Sequence, residues 1–130
     1  MDFLQPEGWA KPRGYSNGVA ASGRTVCVSG MIGWDAQCEF QTLDFAGQVR
    51  QALLNVVAVL AEAGAKPEHI VRMTWYVVDR HEYVAAHKEM GAAYREIIGR
   101  HFPAMTAVQV VALIEDKARV EIEVTAVVPE

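Results

Sequence analysis

Polar and apolar side chains alternate along residues 119–128, "RVEIEVTAVV", which is the pattern of a β-strand with one packed face. The apolar positions are Val120, Ile122, Val124 and Ala126. The polar positions are Arg119, Glu121, Glu123 and Thr125. Two interpretations of the carboxylates stay open here: a solvated sheet surface, because unpaired Glu is rarely buried, or a cleft in which one Glu handles protons.

Four further segments are rich in β-branched and aromatic residues and predict strands. Residues 25–33, "TVCVSGMIG", follow the turn-like "ASGR" and are expected to form a hairpin with "GVAA" at 18–21. Residues 69–79, "HIVRMTWYVVD", predict a buried central strand. Residues 105–113, "MTAVQVVAL", predict a strand that the polar "IEDK" separates from a last strand at 118–128.

Two segments show the apolar spacing of amphipathic helices. The first runs from Asp44, and Gly64 supplies a plausible C-terminal cap. Its apolar positions are Phe45, Val49, Leu53, Val56, Val57 and Leu60. The second spans residues 81–99 after Asp79, a possible N-cap, and Pro103 prevents its continuation. Its inner side is Val84, His87, Met90, Gly91, Tyr94, Ile97 and Ile98.

The predicted order is therefore β-β-α-β-α-β-β, with a hairpin at each end. This order favours an α+β fold in which two helices cover one face of a mixed sheet. The opposite face is expected to be too apolar for water, because Trp75, Val77, Val108 and Val110 cannot all lie under two helices. Such a face predicts an oligomer interface.

Composition narrows the class of protein. The chain has 130 residues, which predicts a single domain over 1–130, and 52% of them are hydrophobic. The net charge is −4 and the 12 Lys and Arg residues are scattered, so nucleic-acid binding is disfavoured. No secretory signal or membrane-spanning segment is apparent, and a cytoplasmic location is expected. Cys27 and Cys38 are expected to be free thiols.

No residue pattern predicts a cofactor or a metal. The four histidines lack ligand spacing; they are His69, His81, His87 and His101. Covalent catalysis also lacks a candidate, because Ser16 and Ser29 have no nucleophile elbow and Cys27 lies in an apolar strand.

The order and spacing of several segments resemble the RidA/YjgF reactive-intermediate deaminases, also called L-PSP endoribonucleases. The segments are "YSNGV", "VCVSGMIG", "FAGQVRQALLNVVAVLAEAGA", "IVRMTWYVVD" and "FPAMTAVQVVALIEDKARVEIEVTAV". The resemblance runs from about Tyr15 to Val128 and leaves residues 1–14 as an N-terminal extension. It implies a chorismate-mutase-like fold and a homotrimer with small-molecule clefts between subunits.

The resemblance also assigns residues. It implies that Glu121 positions the attacking water, that Tyr15 completes the cleft wall, and that Glu123 is a more exposed neighbour. The position of the carboxylate-binding Arg is held by Met105, in "FPAMT". The remaining substrate-binding candidates are Met31, Trp34, Lys88, Ser29 and Gly30. Alternatives stay open. Tyr15, Met31, Trp34 and Met105 can instead pack at a subunit interface, and Lys88 can be a solvated helix lysine.

Three functions follow from this assignment. The first is hydrolysis of an imine or enamine by Glu-positioned water, with weak 2-imino-acid activity because a thioether cannot form the bidentate fork of Arg. In that case Lys88 or Arg13 is a possible substitute cation. The second is a non-catalytic small-molecule-binding or regulatory trimer. The third, an endoribonuclease, is disfavoured by the acidic, patch-free composition.

Overall fold

The computed structural model describes residues 1–130 and has the expected α+β architecture. Its main sheet contains β3 (Arg24–Ile32), β4 (Ile70–Val77), β5 (Ala104–Gln109) and β6 (Val120–Val128). The order across the sheet is β3-β6-β4-β5, with β4 and β5 parallel and β6 antiparallel to both its neighbours. The mixed sheet is therefore confirmed.

The predicted C-terminal hairpin is wrong, because β5 and β6 are not neighbours. The parallel pairing of β4 with β5 uses the intervening helical segment as its crossover. The chain then returns across the sheet, and β6 enters between β3 and β4. Both edges of β6 are thus paired, and its helix-facing side chains are almost completely buried, as Val120, Ile122, Val124 and Ala126 are at most 2% exposed.

The predicted N-terminal hairpin is also wrong. Residues Gly18–Ala20 form β2, which pairs with β1 (Asp2–Leu4) in a separate two-stranded sheet. The β3 strand instead pairs along its length with β6. The start of the N-terminal extension is therefore an ordered strand that supplies the partner for β2.

Helix α1 spans Phe45–Glu62 and begins and ends where its sequence predicts. The Asp44 carboxylate accepts a hydrogen bond from the backbone N–H of Gly47 at 2.9 Å and so caps the first turn. Gly64 follows the last turn with φ of +68°, a conformation that glycine adopts without steric cost.

The second predicted helix is divided at Ala86 into α2 (Arg80–Ala85) and α3 (His87–Ile97). Asp79 caps α2 by accepting from the backbone N–H of His81 at 2.8 Å. The helices lie on one side of the main sheet, and 19 buried residues form one hydrophobic cluster between the two layers.

The other sheet face is uncovered and polar, so the prediction of an apolar face is wrong. Trp75 and Val77 are only 3% and 2% exposed because they lie on the helix side of β4. Val108 is exposed, as expected, and pairs with Tyr76 on the opposite side. The uncovered face is mainly polar and carries Cys27, Ser29, Arg72, Thr74, Tyr76, Thr106, Glu121, Glu123 and Thr125, together with the apolar Val108 and Val127.

Candidate functional site

A β-bulge shapes the uncovered face beside Glu121. Val28 pairs with Val124 and Met31 pairs with Ile122, so two residues of β3 lie opposite a single residue of β6. The two bulged residues are Ser29 and Gly30, which lie outside the regular pairing, and the residue opposite them is Glu123. The bulge therefore opens the ladder at the predicted "SG" segment.

The Glu121 side chain lies against the backbone of Gly30. A Cβ added to Gly30 would fall 2.7 Å from Cδ of Glu121 and 2.8 Å from its Cγ, so the glutamate fills the space of the missing side chain. Glu121 is half-buried and has no cation partner, because the two ion pairs of the chain are Arg50–Glu96 and Arg119–Glu82. A partly desolvated, unpaired carboxylate is suited to accept a proton or to orient water.

Glu123, two positions along the strand, has a different environment. It is exposed, and its Oε1 accepts a hydrogen bond from the Tyr76 hydroxyl at 2.6 Å. Its hydrogen-bond partner is thus a tyrosine on the neighbouring strand β4. This hydrogen bond is the main reason that the pKa of Tyr76 is raised, and the charge of Glu121 adds to the same effect. Glu123 therefore already has a structural partner, whereas Glu121 does not.

Tyr15 and Met105 lie together in a cavity of about 330 Å³, called here the Tyr15–Met105 cavity. It is bounded by α2, α3, β4, the start of β5 and the segment that precedes β2. Its apolar and aromatic wall is Tyr15, Trp75, Tyr83, Met90, Tyr94, Phe102 and Met105. The volume is that of a small-molecule site.

The basic residues of this cavity are Arg13, His87 and Arg95, and no carboxylate lines it. Burial raises the pKa of both Tyr83 and Tyr94, so these walls stay neutral over the physiological range. The indole Nε1 of Trp75 is the one buried side-chain polar atom in the chain without a hydrogen-bond partner. The cavity therefore combines an apolar body with donors and positive charge.

The sheet separates Glu121 from the Tyr15–Met105 cavity within one chain. Met105 pairs with Met73 on the helix side, and Glu121 pairs with Tyr76 on the uncovered side. Paired residues share a sheet face. The structure thus gathers the predicted site residues into two groups, Ser29 and Gly30 with Glu121, and Tyr15 with Met105.

The other predicted substrate-binding residues lie elsewhere. Met31 packs against the hydrophobic core from the helix side of β3. Trp34 lines a different surface cavity, of about 610 Å³, with its ring centroid 5.9 Å from that of Phe40. Lys88 is exposed on α3 and does not line the Tyr15–Met105 cavity, although its neighbour His87 does.

Two residues that sequence reasoning missed belong to these groups. Tyr76 faces Glu121 and Glu123, and the alternation of β4 would have placed it opposite the buried Trp75. Arg95 lies one turn after Gly91 on α3, and helical spacing would have placed both on the side of His87.

No group of three His, Cys, Asp or Glu side chains is placed to hold a metal ion, and Cys27 and Cys38 are free and exposed. None of the helices combines the length and the apolar character needed to cross a membrane. His101 hydrogen-bonds the Ile70 carbonyl through Nε2 at 2.6 Å, and His69 accepts from the Lys66 N–H through Nδ1 at 3.0 Å, so both have structural partners.

Comparison with known proteins gives a consistent result along the chain. The family model for endoribonuclease L-PSP matches residues 9–128. A 2-iminobutanoate/2-iminopropanoate deaminase of Salmonella typhimurium is 34% identical over 108 residues, which are 81% of this chain and 80% of the relative. The match therefore extends over most of both proteins.

Two solved structures illustrate the structural similarity. YyfB, a protein of unknown function in the conserved Rid family of Yersinia pestis, matches with a TM-score of 0.84 at 33% identity, over 98% of both chains. TdcF of Escherichia coli, solved with bound serine, matches with a TM-score of 0.71 at 27% identity, also over 98% of both chains.

Proposed function

The chain belongs to the L-PSP endoribonuclease family, which includes the Rid proteins, and on this premise we propose that it hydrolyses a small imine or enamine with water positioned by Glu121. The observation that carries the proposal is the half-buried Glu121 carboxylate beside Gly30, without a cation partner. The deaminase activity named for the Salmonella typhimurium relative supports the reaction class.

The reaction requires only acid–base chemistry. Glu121 accepts a proton from water as the oxygen adds to the imine carbon, and the C=N π bond becomes a C–N single bond. Transfer of protons to nitrogen then allows ammonia to leave while the carbonyl forms. An imine and one water thus yield a carbonyl compound and ammonia, and an enamine enters as its imine tautomer.

We further propose that the protein is a homotrimer in which the Glu121 face of one subunit meets the Tyr15–Met105 cavity of a neighbour. The separation of these groups by the sheet supports this arrangement, because one chain alone does not bring Glu121 to Tyr15. The polar character of the uncovered face fits an interface that includes water and a polar ligand.

Met105 separates this protein from an enzyme that clamps carboxylates at that position. A thioether has no hydrogen-bond donor and cannot form a bidentate fork with a carboxylate. Activity on short 2-imino acids is therefore weak, and the substrate is an imine or enamine that is neutral or anchored by other residues.

The test is ammonia release from the bulky imines that an amino-acid oxidase generates in situ from phenylalanine and leucine, compared with the spontaneous rate. Glu121→Gln keeps the side-chain shape and removes the charge, so it abolishes the acceleration. Glu123→Gln is the matched control and retains it. Equal rates for wild type and Glu121→Gln, with both folded, contradict the proposed role of Glu121.

A second candidate is a non-catalytic small-molecule-binding or regulatory trimer that uses the same clefts. The loss of the Arg fork at Met105 and the serine bound to TdcF favour it. In that case ligands raise the melting temperature of the wild type, since binding to the folded state stabilises it, but no imine is hydrolysed faster than in buffer. Nuclease activity remains disfavoured by the net charge of −4.

A further inference from the structure

The Tyr15–Met105 cavity combines five Tyr, Trp and Phe side chains with two arginines and no carboxylate. We infer that Arg95, assisted by Arg13, binds the anionic group of the substrate, and that the substrate carries an aromatic or branched apolar body. This inference rests on the proposed function, because it defines the substrate class of that same site.

The absence of a side chain at Gly91 leaves room for Arg95 to reach the cavity. The two residues are one helical turn apart, and Nη1 of Arg95 lies 3.3 Å from the position that a Cβ on Gly91 would take. The Arg95 side chain therefore folds back along α3 over the glycine, and both residues line the cavity. A larger side chain at position 91 would displace the guanidinium from this route.

Neither arginine has an internal charge partner. The ion pairs of the chain use Arg50 and Arg119, which leaves Arg13 and Arg95 without a carboxylate within ion-pair distance. Both are exposed at the rim, where a guanidinium stays hydrated until an anion enters. A carboxylate that reaches the rim thus meets two donors with planar, fork-like geometry.

The apolar inner wall of the cavity favours a substrate with a large apolar body. Trp75, Tyr83, Tyr94 and Phe102 present ring surfaces, and Met90 and Met105 add flexible apolar surface that adapts to an irregular ligand. A benzyl or isobutyl group contacts more of this wall than a methyl or ethyl group does, and so buries more apolar surface on binding.

Binding is best measured with stable 2-oxo acids, the product class of imino-acid hydrolysis, because they need no turnover. We compare phenylpyruvate, pyruvate and methyl phenylpyruvate by calorimetry on the assembled wild-type protein. Phenylpyruvate is expected to bind about tenfold or more tightly than the other two, since pyruvate lacks the ring and the ester lacks the charge.

Arginine variants locate the anion site. Arg95→Gln is expected to weaken phenylpyruvate binding about tenfold and Arg13→Gln by a smaller factor. Arg95→Lys should restore part of the loss, which a purely structural role would not predict. Arg100→Gln, an exposed substitution just beyond α3 and outside the cavity, is the matched control and should bind like wild type.

The outcomes separate this inference from the proposed function. Equal affinity for phenylpyruvate and pyruvate, or full affinity in both glutamine variants, overturns the inference while Glu121-dependent ammonia release stands. Arginine-dependent phenylpyruvate binding without Glu121-dependent release supports the inference and contradicts the hydrolase. Should Arg95→Gln melt at a lower temperature than wild type, Gly91→Leu replaces it, because it displaces the guanidinium without removing the arginine, and wild-type affinity in Gly91→Leu also overturns the inference.

Discussion

The carboxylate arm of Glu121 occupies the space where a side chain on Gly30 would lie, with Cδ 2.7 Å from the position of the absent Cβ. The β-bulge in β3 brings Gly30 to this place. A glycine at the bulge is therefore a condition for the observed position of the glutamate, and this contact can be tested directly.

Gly30→Ala should displace the Glu121 carboxylate while leaving the fold intact, because the neighbour in the way is the mobile end of a side chain. Imine hydrolysis should fall about as far as in Glu121→Gln, with a melting temperature close to wild type. Gly33→Ala is the contrasting variant, since its Cβ meets the backbone Cα of buried Gln48 at 2.8 Å. It should lose roughly 1–3 kcal/mol of stability to chemical denaturant. Wild-type activity in Gly30→Ala would show that the contact does not position the carboxylate.

Met105→Arg should supply a guanidinium at position 105, where the wild type has a thioether that cannot bind a carboxylate. Turnover of 2-iminobutyrate is expected to rise roughly ten- to a hundredfold, which is the gain in affinity that one charge-assisted hydrogen bond provides. Met105→Leu keeps the apolar surface and should show no gain. Rapid wild-type turnover of 2-iminobutyrate would mean that another cation already binds its carboxylate.

The mass in solution should be three times 14.3 kDa by light scattering at micromolar concentration. Thr74→Arg places a long cation on the uncovered face and should shift the mass towards the monomer. Ala92→Arg, on an exposed part of α3, should not. A monomeric wild type would contradict the proposed site, since Glu121 and Tyr15 lie on opposite sides of the sheet in one chain.

The hydrogen bond from Tyr76 to Glu123 predicts a loss of stability at alkaline pH. The bond raises the pKa of Tyr76 above the ordinary value of 10.0. A group whose folded-state pKa is raised stabilises the fold below its unfolded pKa, and this stability is lost as pH rises through the folded value. Denaturation at about pH 8 and about pH 11 should thus show a smaller loss for Glu123→Gln than for wild type.

Burial raises the pKa of Tyr83 and Tyr94, so their ionisation also lowers the stability of the fold as the pH rises. They are present in both proteins, so their effect cancels in the difference. An identical alkaline loss in wild type and Glu123→Gln would show that the Tyr76–Glu123 hydrogen bond contributes nothing measurable.

Local features of the fold were predictable from the sequence. Asp44 and Asp79 cap helices as their positions predict, because capping depends only on side chains and backbone within one turn. The alternation along β6 placed Ile122 in the core and Glu121 with Glu123 on the other face, because side-chain direction in a strand has a fixed period of two. The difference in burial between the two glutamates agrees with the order inferred from the family resemblance.

Tertiary structure decided what depends on the partner of each strand. The alternation of β4 and β6 gives no information on which strands are neighbours, and the pairing of adjacent segments, the simplest assumption, was wrong at both ends. It also decided which face of β4 met the helices, so that Trp75 became a core residue and Tyr76 a partner of Glu123. Helical spacing places Arg95 on the side of His87 but does not predict the cavity, because the other walls come from β4, β5 and the segment before β2. Periodicity is a local property and specifies each element, whereas long-range pairing energy selects their arrangement and thereby the site.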